Sequence, residues 1–453
     1  MDHLLCLLIH GIVILSNLPR PLSRLGIGNY DEWNAGKTFR ILLAGYNGAR
    51  NTGSDVRVAA IARQLNVLFG KEHVQITVLT LDPDTLEEYF DSNVTLLPFS
   101  SLFPFDVFRA CCSHHAAVLC EGSTLKSTFA NALTLFLCET AGILSAQGKP
   151  CIAYGSEVGE MEPFLERTAA RLCRNTYFIT RTEESFDRLK KLGLRGHTGT
   201  DAAWLYDGAI PPDQADRLLR AQGWDGKKPL LGIAVINPFC WPVRLSLWKW
   251  LKGSVTGRLS GQYDKWYFFS NSPARRGAFH RYIAEIAAGV NSFMESRDSF
   301  PVLIGMERLD ALAVSALAHR LDRPCAVFLS GEYSAGIITG VLRRLSALVT
   351  SRYHAAVLSM GTGCPIVAVS MDERLDGIMR EVSLDGEYLF HVTDRNLGAE
   401  IAAALLNGHS QRERIQRHIR RQAVLYRVKQ EDMGQFMERY LDDALGRREG
   451  GYP

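Results

Sequence analysis

From residue 39 onward, short apolar runs of strand length alternate with stretches of helical periodicity, and the series breaks once before starting again. That alternation predicts an α/β protein whose parallel strands are covered by helices on both faces. A length of 453 residues exceeds what one ordinary core serves and favours two lobes. The break, at residues 213–229, joins a polar helix to Gly223, Gly226, Lys227, Lys228 and Pro229, the composition of a boundary. Two Rossmann-like lobes, 39–226 and 227–410, are therefore expected. An apolar helix and linker (1–38) precede them, an amphipathic helix and tail (411–453) follow, and a ligand cleft lies between the lobes.

Taken in order, residues 4–18 are almost all apolar but fall short of the ~20 needed to span a bilayer, and Asp2 stands where a signal peptide is basic. A buried or dimer-contacting helix is expected there, with peripheral contact to a membrane and a cleaved segment as the other readings. First-lobe strands are predicted at 39–44, 74–80, 116–120, 151–154 and 177–180. The second series is 230–235, 266–269, 302–304, 325–329, 348–350 and 366–369. Residues 411–429 are rich in arginine, yet Ile415, Ile419, Ala423 and Tyr426 recur at helical spacing. A solvated amphipathic helix explains this better than a nucleic-acid arm.

Composition narrows the function. An apolar fraction of 47% and a charged fraction of 22% are those of a folded globular chain, neither disordered nor polytopic. Lysine and arginine total 51 against 48 aspartates and glutamates, so no overall field recruits nucleic acid and any anion site must be local. Ten cysteines are scattered without a C-x-x-C pair or a Cys/His cluster at zinc spacing, which suits a reducing cytoplasm.

Three strand-to-helix turns carry the chemistry. The first is Gly45-Tyr46-Asn47-Gly48-Ala49-Arg50-Asn51-Thr52-Gly53-Ser54-Asp55, whose glycines allow close approach and whose following helix offers free N–H groups to an anion. Its spacing is neither G-x-G-x-x-G nor a P-loop. A plain turn capped by Ser54 or Asp55 is the other reading. The second turn is Cys120-Glu121-Gly122-Ser123-Thr124, expected at the same carboxyl edge, with Glu121 an acid, a base or a helix cap. The third is Ser351-Arg352-Tyr353-His354, an arginine and a histidine entering a helix at a strand end, where guanidinium, helix dipole and imidazole converge on one anion.

At these residues the sequence resembles the polysaccharide pyruvyl transferase family. Gly45, Gly48, Asn51, Gly53 and Asp55 match the family's N-terminal turn, and Arg352, His354, Gly363 and Pro365 its late R-x-H and G-x-P elements. Tyr154, Gly155, Gly159, Arg181, Ser185 and Asp201 match intermediate segments, so that the resemblance spans roughly residues 39–380. The chain departs from the pattern at Glu121-Gly122-Ser123, in place of a triple glycine, and at Met371 and Arg374, in place of a tyrosine and a lysine.

The resemblance implies a GT-B-like fold and transfer of the pyruvyl group of phosphoenolpyruvate to two hydroxyls of a sugar, on a cell-surface polysaccharide or its lipid-linked precursor. Phosphoenolpyruvate is then a co-substrate, and neither cofactor nor metal is required. His354 is expected to move protons, with Asp55 assisting, and Arg352 to hold the donor's phosphate or carboxylate. Gly48, Arg50, Asn51, Thr52, Glu121, Gly122, Ser123, Arg181 and Arg374 are the expected substrate contacts. A cytoplasmic enzyme at the inner face of the membrane follows, with self-association left open. A nucleotide-sugar glycosyltransferase and a non-catalytic glycan-binding relative are the alternatives.

Overall fold

The computed structural model describes residues 1–17, 32–34, 36–100, 103–246, 248–249, 267–269 and 272–446. Helix α1 (Asp2–Ser16) precedes the first lobe. There β1 (Phe39–Ala44), α2 (Thr52–Phe69), β2 (Val74–Thr80), β3 (Val94–Pro98), α3 (Phe103–Ser113) and β4 (Ala116–Leu119) come first. They are followed by α4 (Asn131–Ala146), β5 (Cys151–Ser156), α5 (Pro163–Leu172), β6 (Tyr177–Thr180), α6 (Glu183–Lys191) and β7 (Arg195–Thr198). The seven strands are parallel in the order β3-β2-β1-β4-β5-β6-β7. β3 and β7 were not expected. Both are edge strands with few fully buried residues, so neither shows the apolar run of a central parallel strand.

The second lobe contains α7 (Pro212–Ala221), β8 (Leu230–Ala234), β9 (Arg244–Leu245), β10 (Tyr267–Phe268), α8 (Pro273–Ser296), β11 (Phe300–Gly305), α9 (Ala311–Ala318) and β12 (Ala326–Leu329). It continues with α10 (Ala335–Leu342), β13 (Ala347–Thr350), α11 (Tyr353–Met360), β14 (Ile366–Ser370), α12 (Glu373–Glu381), α13 (Asp385–Tyr388), β15 (Leu389–His391) and α14 (Leu397–Ser410). Its main sheet is also parallel, in the order β12-β11-β8-β13-β14-β15. The strand expected at 266–269 does not join it. Tyr267 and Phe268 pair with β9 in a small antiparallel ribbon, and Trp266 lies outside the described residues. Helix α7 packs on α10, and Leu219 and Trp224 belong to the second lobe's core. The chain therefore crosses between lobes before α7, earlier than the boundary drawn after residue 226.

In each sheet the strand order reverses beside the lobe's first strand, between β1 and β4 and between β8 and β13. The turns leaving β1, β4 and β13 thus emerge at the crevices where open α/β sheets take ligands. These two crevices face each other.

The final helix, α15 (Arg412–Leu445), is 34 residues long, roughly 50 Å, and reaches both lobes. Ile415, Ile419, Ala423 and Tyr426 are buried in the second core, as their spacing predicted, while Met433, Met437 and Leu441 are buried in the first. Between them Tyr426 stacks on Trp204, with ring centroids 4.7 Å apart. At the other end of the chain α1 buries Ile9, Ile12 and Val13 against α4, while its opposite face is exposed. Among the described residues no helix is long and apolar enough to cross a membrane.

Because Tyr426 also donates to Glu381 Oε2 at 2.6 Å, Tyr426→Ala should cost about 3 kcal/mol of unfolding free energy. The check is the urea midpoint, and an unchanged value would show that this stack does not clamp the lobes.

Candidate active site

The first-lobe wall begins where β1 turns. Gly48 has φ +75°, and a Cβ there would collide with Thr80 and with the Asp82 backbone, so glycine is required. Asn51 caps α2, its side chain accepting from the Ser54 N–H at 3.3 Å. After β4, Glu121 ties the neighbouring turns together: Oε2 accepts from the Tyr46 N–H (3.2 Å) and Ser54 Oγ (3.3 Å), and Oε1 from the Ser123 N–H (3.2 Å).

The second lobe clasps this wall. The Thr52 N–H donates to the Met306 carbonyl and Ser330 Oγ to the Arg50 carbonyl, each at 2.8 Å. From β13 the chain delivers Arg352, whose guanidinium meets Glu307 Oε2 at 3.2 Å and Asp310 Oδ2 at 3.3 Å. One turn of α11 brings His354 across the gap against Gly53, where a Cβ would collide with Nδ1. Its Nε2 lies 3.5 Å from Asp201 Oδ2, within ion-pair range but without a well-formed hydrogen bond.

Asp201 is fully buried and also meets Arg57 Nη1 at 2.6 Å and Arg181 Nη1 at 3.2 Å. Burial alone would raise its carboxyl, but Arg57, His354 and Arg181 hold it well below the usual carboxylate range. Burial pushes the His354 imidazole below its ordinary value, and Asp201 opposes that push only in part, so its surroundings favour the neutral ring. Burial likewise disfavours the Arg181 charge, but Glu157, Tyr353 and Asp201 outweigh it, and the guanidinium lies 4.5 Å over the Tyr353 ring. Glu157 pairs in turn with Lys126 Nζ at 2.9 Å, which reaches Glu373 at 3.0 Å and Asp372 at 3.6 Å in the other lobe.

A cavity of about 400 Å³ opens between the walls. Arg181, Arg352, Arg374 and His354 line it, against the carboxylates of Glu121 and Glu307. The N-termini of α2 and α11 both open onto it, so the dipoles add to the cationic character of the wall. Such a site suits an anion bearing two acidic groups.

A family model for polysaccharide pyruvyl transferase matches residues 51–373. The chain belongs to the polysaccharide pyruvyl transferase family. It matches no curated protein sequence. Its fold is GT-B-like, as in several solved structures. The UDP-GlcNAc 2-epimerase of Neisseria meningitidis bound to UDP-GlcNAc superposes with a TM-score of 0.52 at 8% identity, over 84% of this chain and 94% of that one. A UDP-glucosyltransferase of Polygonum tinctorium gives 0.53 at 9%, over 90% and 100%. The UDP-GlcNAc 2-epimerase of Methanocaldococcus jannaschii gives 0.52 at 10%, over 81% and 91%.

In this pyruvyl transferase family member, eight of the twelve sequence-predicted residues line the cavity: Asn51, Glu121, Gly122, Ser123, Arg181, Arg352, His354 and Arg374. Gly48, Arg50, Thr52 and Asp55 do not. Gly48 and Thr52 shape and anchor the turn, and Arg50, at φ +54°, contributes its carbonyl to the interlobe bond. Asp55 is two residues beyond Gly53, roughly 200° around the helix, so it faces away from His354. The sequence reading missed Arg57, Lys126, Glu157, Glu307, Asp310 and Asp372, and reached Asp201 only through the family pattern. Arg57 had a signal, since it interrupts an apolar helical run one turn after Gly53. Among the described residues no group of three or more His, Cys, Asp and Glu side chains is placed to hold a metal ion.

Burial pushes the Asp55 carboxyl up to about 8, against the pull of Arg50. A carboxyl raised on folding favours the native state fully below its unfolded value near ~4 and loses that contribution as pH rises through its folded value. Asp55→Asn, which cannot ionise, should therefore gain Tm relative to the parent between mildly acidic and mildly alkaline pH. Parallel Tm curves for the two proteins would show that Asp55 ionises without penalty.

Proposed function

We propose that the protein transfers the pyruvyl group of phosphoenolpyruvate to two hydroxyls of a sugar in a cell-surface polysaccharide or its lipid-linked precursor, forming a cyclic ketal and releasing phosphate. The observation that carries this reading is the meeting of Arg352 and His354 from one lobe with the Gly53 N-terminus of α2 from the other. Phosphoenolpyruvate is a small donor that carries two acidic groups. Its phosphate and carboxylate match Arg352, Arg181, Arg374 and the two helix N-termini better than any neutral sugar would.

In the reaction one acceptor hydroxyl bonds to C2 as the methylene carbon gains a proton. The C2–O bond to phosphate then breaks, and the second hydroxyl closes the ketal. Of the two hydroxyl protons, one ends on the new methyl group and the other on phosphate. A neutral imidazole suits the opening of this sequence, because it takes the first hydroxyl proton, and the imidazolium so formed is stabilised by Asp201 and can protonate the methylene carbon. Arg352 would neutralise the donor while Glu307 and Asp310 hold its guanidinium in place. Glu121, already committed to three donors, orients the turns that meet the sugar.

A second reading comes from the solved structures of similar fold that contain or act on UDP-sugars: a nucleotide-sugar transferase. It predicts that a sugar nucleotide, and not phosphoenolpyruvate, raises Tm. A non-catalytic glycan-binding relative would need neither Arg352 nor His354.

His354→Ala should abolish phosphoenolpyruvate-dependent phosphate release, across a panel of lipid-linked galactose, glucose and N-acetylmannosamine acceptors, while leaving the fold intact by far-UV circular dichroism. Unchanged turnover removes His354 from the mechanism. Gly53→Ala, which crowds Nδ1, should lower kcat by about 100-fold with little change in KM for the donor. In the parent enzyme the acid limb of kcat/KM should lie below the ~6.5 of an ordinary histidine, since burial lowers His354. A limb above that value would point to another base.

A further inference from the structure

Helix α1 is apolar on both faces. Ile9, Ile12 and Val13 pack into the first lobe, while Leu4, Leu7, Leu8, Gly11, Ile14 and Leu15 form one outward stripe at helical spacing. Leu4 and Leu7 are 67% and 69% exposed, and Ile14 and Leu15 are 56% and 57% exposed. A helix apolar all round is ordinarily enclosed. With 15 residues, roughly 22 Å, it is too short to span a bilayer.

Two observations say what covers the stripe. The first is charge. A shallow groove along α1 is lined by His3, Leu7 and His10 and, from α5, by the exposed Arg167 and Arg171. Cations flanking an apolar stripe are the composition of a helix lying in an anionic membrane surface. The second is continuity with the active site. Met1 and, from α1, Leu4, Leu5 and Leu8 form the apolar end of the cavity that holds Arg352 and His354, together with Phe103 of α3 and Phe136 of α4.

We propose that α1 is a membrane-interface helix. Its stripe settles at the headgroup–acyl boundary of a bilayer containing anionic lipid, Arg167 and Arg171 meet the phosphates, and the active-site cavity consequently opens toward the bilayer. Resting on the function proposed above, a sugar acceptor carried on a lipid then reaches His354 from the membrane, with its hydrocarbon against Leu4 and Leu8.

The test is flotation of the full chain with vesicles of phosphatidylcholine alone or with about one third phosphatidylglycerol. The protein should float with the anionic vesicles, and less so at high salt. Leu7→Glu with Leu15→Glu should weaken binding by about tenfold or more, and so should Arg167→Glu with Arg171→Glu, with Tm unchanged in both. Phosphate release with a short, water-soluble acceptor should be unchanged in these variants, because none of the four residues lines the cavity. Absence of flotation overturns the proposal, as does flotation indifferent to the substitutions. A concentration-dependent dimer that Leu7→Glu with Leu15→Glu dissociates also overturns it, since the stripe would then belong to a second copy. Flotation as expected with no turnover of phosphoenolpyruvate on any acceptor would leave the membrane surface standing and remove the proposed reaction.

Discussion

Asp201 has no exposed surface, and a lone carboxylate in that position would cost several kcal/mol in lost hydration. It is tolerated because Arg57 from α2, Arg181 from the end of β6 and His354 from the second lobe converge on it. Asp201 also lies just after β7, on the stretch where the chain leaves the first sheet, and its Oδ1 caps the following turn by accepting from the Ala203 N–H at 2.9 Å. One buried carboxylate thus fixes the exit of the chain from the first lobe, the tilt of an arginine on the cavity wall, and the reach of the histidine across the gap. The lobes meet through His354, through the ion pairs of Lys126 with Glu373 and Asp372, and through the Thr52-to-Met306 backbone bond, which together hold two turns 300 residues apart in register.

The same economy governs the rest of the wall. Arg352 is matched by Glu307 and Asp310 and Arg374 by Asp372, while Lys126, buried behind the wall, is matched by Glu157 and Glu373. Because every cation is braced from behind, its donors are preorganised before any ligand arrives, at the cost of a smaller net attraction for anions in general. Discrimination then depends on geometry. A ligand must offer acidic groups at the spacing of the guanidinium groups and helix ends to better the carboxylates already present.

The sequence made the central strands legible because each carries an unbroken apolar run, as in Ile41 to Ala44 or Ala347 to Val349, flanked by turn residues. It failed at the sheet margins. β7 reads Arg-Gly-His-Thr and takes its place because β6 pairs with it and the ring of Phe436 packs on His197, a contact made by a helix more than 200 residues away. The site divides in the same manner. Residues that present themselves at a strand end, such as Arg352, His354 and Asn51, were visible. Those that brace them from neighbouring elements, such as Glu307, Asp372 and Lys126, had no local signature, because their role exists only once two lobes are apposed. Asp55 shows the converse: a matching motif position does not reveal which way a helix turns its side chains.

Helix α15 limits how these lobes can move. Its first half is seated in one hydrophobic core and its second half in the other. Separating the lobes as two covers of a book would require the helix to bend, or would pull Met433, Met437 and Leu441 into water at about 1.5–3 kcal/mol for each side chain. A rotation about the axis of α15 is opposed as well, because a continuous helix turns as one piece and would sweep either its Ile415–Tyr426 face or its Met433–Leu441 face out of the core that holds it. Helix α15 is thus a splint laid across the two lobes, outside the cavity whose walls it keeps in register.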